Sequence, residues 1–208
     1  MNLTAERRHA AAAHHEAGHA VVGVLSGAII DLAEVVRGGS RTNPGGIGGF
    51  CRYDLFDFAA ETRRREITAA GSIAEAVFLH GPSPTARQID QVLMTNGRDR
   101  SELRQMCLAV GEPLIVPTAE VLPLVVRCWA SIEELAARLS REGQIRHTDV
   151  LAALSIPSPE LTAQHVAAIR SGSDPGTFTI TPPVGASRAR RGKRSTVFPH
   201  GVAEAMRV

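Results

Sequence analysis

Ala13-His14-His15-Glu16-Ala17-Gly18-His19-Ala20-Val21-Val22 lies inside an alanine-rich run that favours a helix. At 3.6 residues per turn, positions 15 and 19 share one face about 6 Å apart, so two imidazole nitrogens can converge on one Zn²⁺. Glu16 sits about 100° round the helix, too far for comfortable coordination but within reach of a water at an open metal position. With eight His and fourteen Glu in 208 residues, H-E-x-x-H arises by chance about 0.02 times per chain. The longer metzincin motif is excluded, because Val22 stands where its glycine belongs and Leu25 where its third histidine belongs.

Working outward, Thr4 caps a first helix over residues 5–25 and Gly27 ends it. Residues 32–36 and 47–53 read as two strands joined by glycine-rich turn chemistry over 38–46. Gly45, Gly46, Gly48 and Gly49 mark a loop or a place of close backbone approach. Asp57 caps a second helix over 58–80, with Ile67, Gly71, Ala74 and Phe78 as its stripe. Pro82 and Pro84 make a loop, and 86–94 offers a helical turn or two. Further helices are expected from Arg98 to about 110, over 118–141 despite Pro123, over 148–154, and from a Ser158 cap to about Arg170. Beyond 171 the chain is rich in Ser, Gly, Pro, Thr and Arg without periodicity and reads as disordered. The expected fold is mainly α, with a small β-hairpin or sheet element and a disordered C-terminal tail. It divides into residues 1–156 as the main domain, 157–171 as an extra helix and 172–208 as a basic tail.

Composition narrows the class. Hydrophobic residues at 44% and charged residues at 21% exclude a wholly disordered or collagen-like chain, and aromatics at 4% require an aliphatic core. No run of 18 apolar residues and no secretory signal is seen, so the expectation is a soluble, cytoplasmic chain. Cys51, Cys107 and Cys128 form no C-x-x-C pair and read as small buried hydrophobes. Residues 157–208 carry seven Arg/Lys against three Asp/Glu, so a nucleic-acid reading rests on the tail alone. Residues 188–194, without an aromatic among their basic side chains, read as a solvated tail.

The string from His14 to Val22 closely resembles the zinc helix of the FtsH-type metallopeptidases. Ile47-Gly48-Gly49-Phe50 is similar to that family's Leu-Gly-aromatic turn, and Ala70-Gly71-Ser72-Ile73-Ala74-Glu75 to its Gly-Gly-Arg-x-Ala-Glu helix. The resemblance covers residues 4–154 and extends neither to an ATPase loop nor to a transmembrane anchor. It implies a mainly helical zinc-peptidase domain whose third ligand is an aspartate in the first turn of a helix after a Thr/Ser-Gly-rich loop. Thr95-Asn96-Gly97-Arg98-Asp99 fits that context, so Asp99 takes the role, with Asp90 as the alternative. Glu75 reads as a hydrogen-bonding support rather than a ligand. His9, His14, His80 and His147 read as solvated or capping residues. The resemblance also implies that the strand before the glycine turn, residues 32–36 here, binds substrate backbone by β-addition.

The expected function is therefore a zinc metalloendopeptidase with His15, His19 and Asp99 as metal ligands and Glu16 as general base. Without an ATPase it would cut flexible protein or peptide substrates or depend on a separate unfoldase. Metal loss is expected as pH falls below about 6, where imidazole protonates. The alternative is a catalytically inactive zinc-binding or peptide-binding module that regulates another protein; the long interval between Glu75 and Asp99 favours it.

Overall fold

The computed structural model describes residues 3–37, 47–55 and 57–180, and the chain is mainly helical with one small antiparallel sheet. Helix α1, Ala5–Leu25, is the axis of the molecule. Thr4 caps it as expected, its hydroxyl accepting the Arg7 N–H at 3.2 Å. From His15 onward every residue of α1 is buried, which an alanine, glycine and valine sequence permits because such side chains let neighbours close in on all sides.

Strands β1, Ile29–Arg37, and β2, Ile47–Leu55, pair antiparallel, and a short β3, Gln144–Ile145, adds to the other side of β1. The sheet order is β2-β1-β3. It packs on α1, with the Tyr53 ring filling the slot that Gly23 leaves open. The expected hairpin turn over 38–46 lies outside the described residues.

The region expected as one helix over 58–80 is two: α2, Phe58–Thr62, capped by Asp57, and α3, Arg64–His80, separated by Arg63 at φ −107° and ψ 16°. Helix α3 crosses α1 where a Cβ on Gly18 would stand 2.5 Å from Ala74 Cβ and 2.8 Å from the Ala70 carbonyl. Only small residues allow two backbones this close. Next come α4, Ala86–Thr95, with a Thr85/Gln88 capping box, and α5, Gly97–Ala109.

The expected helix over 118–141 is likewise divided, into α6, Thr118–Arg127, and α7, Trp129–Glu142. The interruption falls at Cys128, not at Pro123. Hydrogen bonds from Cys128 N–H to the Leu124 carbonyl and from Ile132 N–H to the Cys128 carbonyl persist across the break. Helix α7 covers a further face of α1. Helix α8, His147–Ala153, a 3-10 turn and α9, Thr162–Arg170, close the far end; Arg170 ties α9 to Glu66 at 2.8 Å and to the Leu25 carbonyl. Residues 172–180 continue as turns, with Phe178 against the core and 5.3 Å from the His165 ring, so order extends past the tail boundary expected at 172. The rest of that basic tail, 181–208, lies outside the described residues. No described helix is long and apolar enough to cross a membrane.

Candidate metal centre

The i, i+4 spacing on α1 brings the two imidazoles together as the sequence requires. His15 Nε2 and His19 Nε2 lie 3.1 Å apart, with the rings nearly perpendicular at 77°. Each ring is aimed by its other nitrogen. His19 Nδ1 donates to the Ile67 carbonyl at 2.8 Å, and His15 Nδ1 meets Glu75 Oε2 at 3.1 Å. A carbonyl can only accept, so the His19 proton sits on Nδ1 and the Nε2 lone pair faces the site, the tautomer a metal ligand needs.

The third donor comes from α5. Helix α4 fills the interval after Glu75, and the α4–α5 corner at Asn96 places Asp99 in the first turn of the next helix. Asp99 Oδ2 stands 3.0 Å from His15 Nε2 and 3.2 Å from His19 Nε2. Among the described residues, these three form a cluster able to hold a metal ion. Asp90, the alternative, is exposed and lines a separate cavity with Leu93 and Met94. Glu75 supports His15 through Nδ1, as expected. Glu6-Arg7-Arg8-His9 repeats an E-x-x-H spacing, but Glu6 is exposed while His9 is buried, so the two do not share a site.

Gly71 of α3 lies beneath the donors. A Cβ there would collide with Nε2 of both histidines, 2.6 Å from that of His15. In the sequence Gly71 belongs to an apolar stripe and to the Ala70–Glu75 string, and its close approach to the imidazoles appears only when α3 is laid on α1. Gly49 acts likewise on β2: its added Cβ would stand 2.7 Å from Glu16 Cγ, so the glycine lets the strand close over the glutamate. The close approach expected of this glycine segment is therefore made against Glu16. Glu16 is buried, and its Oε2 has no hydrogen-bond partner among the described residues. A buried polar atom left without a partner is costly, about 1–3 kcal/mol, unless something occupies the space in front of it.

Charge in the site is coupled. Burial raises the Glu16 carboxyl above its usual range, opposed by the nearby imidazoles. For His15, burial pulls downward, but hydrogen bonds to Asp99 and Glu75 overcome it and push the imidazole up to about 10. His19 is raised in the same way, burial being outweighed by Asp99. Asp99 is held well below the usual carboxylate range: burial works against this, and the two imidazoles prevail. The carboxylate of Asp99 and the two imidazoles thus favour one another's charged forms.

The donors lie on the floor of an open cleft of about 1290 Å³. One wall is β2 from Gly48 to Tyr53; the other is α3 with the 95–99 corner. Residues 32–36, expected to form a free edge, do not: strand β1 is central, paired with β2 along one side and, over Ala33 to Val35, with β3 and the Gly143 carbonyl on the other. Strand β2 is the edge, and among the described residues only β1 pairs with it. Tyr53 on the same strand donates to the His19 carbonyl at 3.2 Å, tying the edge to the ligand helix.

Three histidines depart from the solvated role expected of them. His14 is half-buried, stacked 4.2 Å from Phe78 and 5.4 Å from Trp129, and burial lowers its pKa. His9 is buried with neither ring nitrogen hydrogen-bonded. His147 is half-buried and accepts the Ile30 N–H at 3.4 Å. Cys107 and Cys128 are buried as expected, and Cys51 is half-buried on the cleft wall. The segment between Glu75 and Asp99, whose length favoured an inactive module, is folded as α4 and returns Asp99 to the histidines. No protein-family model matches the chain, and no curated protein matches it.

Proposed function

We propose that this chain is a zinc-dependent metalloendopeptidase of the FtsH-like type that its first helix resembles, with His15, His19 and Asp99 holding the metal. The observation that carries the reading is one arrangement: three converging donors with the partnerless carboxylate oxygen of Glu16 beside them. Donors about 2.1 Å from a tetrahedral zinc stand about 3.4 Å apart, and the triangle here, with sides of 3.0 to 3.2 Å, is close to that requirement. Two imidazoles and one carboxylate, with room for water, also match the chemistry of catalytic zinc.

Zinc supplies Lewis acidity, acidifying a water and polarising a peptide carbonyl. Glu16 takes a proton from the water as its oxygen adds to the carbonyl carbon, and returns that proton to the amine nitrogen as the C–N bond breaks. Its raised pKa suits both halves of this exchange. Glu75 and the Ile67 carbonyl hold the two imidazoles in the ligand tautomer. The side of β2 away from β1, which pairs with nothing among the described residues, offers backbone donors and acceptors to an extended peptide. Only an unfolded or flexible segment can lie along such an edge, so folded substrates require a separate unfoldase.

Stripping the protein with 1,10-phenanthroline should abolish cleavage of unfolded casein, and added zinc should restore it. Cleavage that continues in fully stripped protein would exclude the mechanism.

The pH dependence follows from the cluster. The raised His15 imidazole stabilises the metal-free fold fully below about pH 6.5, and that contribution is lost as pH climbs through about 10; His19 is shifted in the same direction. The depressed Asp99 adds stability that is lost only as pH falls below about 4. Zinc must displace the imidazole protons. The gap in thermal midpoint between zinc-loaded and stripped protein should therefore widen steadily from pH 6 to pH 9. A gap that stays constant across that range would show that the histidines are not ligands.

A further inference from the structure

Asn96 stands at the N-cap of α5, where an asparagine side chain ordinarily accepts an N–H from the first turn. Here it makes no such bond. Its amide nitrogen instead lies 2.9 Å from Glu75 Oε2, 3.2 Å from the Val92 carbonyl and 3.5 Å from Ser72 Oγ. A carboxylate and a carbonyl only accept, which fixes the amide nitrogen as the inward end.

Glu75 Oε2 is the same oxygen that meets His15 Nδ1 at 3.1 Å. The Asn96 carbonyl, meanwhile, accepts the Arg100 N–H at 3.1 Å and so starts the turn that carries Asp99. One residue therefore touches the supports of two donors that are distant in sequence. Its side chain holds the carboxylate that aims His15, and its backbone sets the helix that presents Asp99.

We infer that Asn96 is a positioning residue that locks the metal centre through Glu75, giving up its cap to do so. This rests on the metal-site reading above. Without the amide, Glu75 is free to rotate and the His15 ring loses its fixed direction. Partners of this outer kind commonly change metal affinity by about 10- to 100-fold.

The test is a double-mutant cycle of zinc affinity, measured by competition with a chromophoric chelator on the full chain. Asn96→Ala should weaken zinc binding about 10- to 100-fold, and Glu75→Ala by a similar factor. The double variant should bind no more weakly than Glu75→Ala alone. Wild-type affinity in Asn96→Ala overturns the proposal. So does an equal loss in the Glu75→Ala background, since a role independent of Glu75 would be additive. If Asn96→Ala fails to fold, Asn96→Asp replaces it: the shape is kept, but an acceptor oxygen faces Glu75, and wild-type zinc affinity in that variant overturns the proposal equally. A wild-type chain that binds no zinc removes the metal centre and this role together, whereas failure of the cycle alone removes only Asn96.

Discussion

Glu16→Gln should keep its zinc and lose cleavage of unfolded casein by about 10²- to 10⁴-fold, the range that positioned proton transfer contributes. Glutamine has the same shape, so it fits beneath Gly49 as glutamate does, and it ligates nothing that the metal depends on. The substitution removes only the ability to accept and return a proton. Stability should hold or rise, because the glutamate is buried and one of its oxygens lacks a partner among the described residues; a neutral amide there relieves a desolvation cost that the nearby imidazoles offset only in part. Zinc content by atomic absorption, melting temperature and casein turnover together read the outcome. A variant that retains zinc and full turnover would assign the proton transfer elsewhere.

Asp99→Ala carries the second large effect, and it acts on metal and fold alike. Loss of a direct donor should weaken zinc by more than the 10- to 100-fold typical of an outer support. In the metal-free protein the same substitution strands two buried imidazoles whose protons Asp99 had stabilised, at a cost of about 3–5 kcal/mol for breaking a buried pair. Asp99 also lies in the first turn of α5, but its interaction with the helix dipole is worth only about 0.3–1 kcal/mol, so the cluster dominates. Asp99→Asn keeps the shape and should fold better than Asp99→Ala while still losing zinc. Asp90→Ala, on an exposed side chain, should leave both affinity and melting temperature near wild type. Equal zinc affinity in wild type and Asp99→Ala would remove the triad.

The contrast between Asp99 and Asp90 shows where linear reading stops. Both follow Glu75 by a plausible distance, and the context of a helix start favours one without placing either. The choice is made by α4: its ten residues turn Asp90 outward and deliver Asp99 beneath the imidazoles, 80 positions from His19. The β-addition edge shows the same limit. Residues 32–36 form a strand as expected, but which strand is the edge depends on β3, a two-residue pairing with no signal of its own. His14, next to His15, read as solvated because its partners, Phe78 and Trp129, sit on two other helices.

What the chain declares directly is local. The mainly helical class, the span of α1, the Thr4 and Asp57 caps and the pairing of His15 with His19 all follow from a 3.6-residue period and from hydrogen bonds within four positions, forces that act between near neighbours whatever the rest does. The third donor, the glycines at 49 and 71, the Glu75–Asn96 support and the open β2 edge come from packing between elements far apart in sequence. They exist because small residues let α3 and β2 close onto α1, and the position of a distant side chain is set by how whole helices stack rather than by any residue beside it.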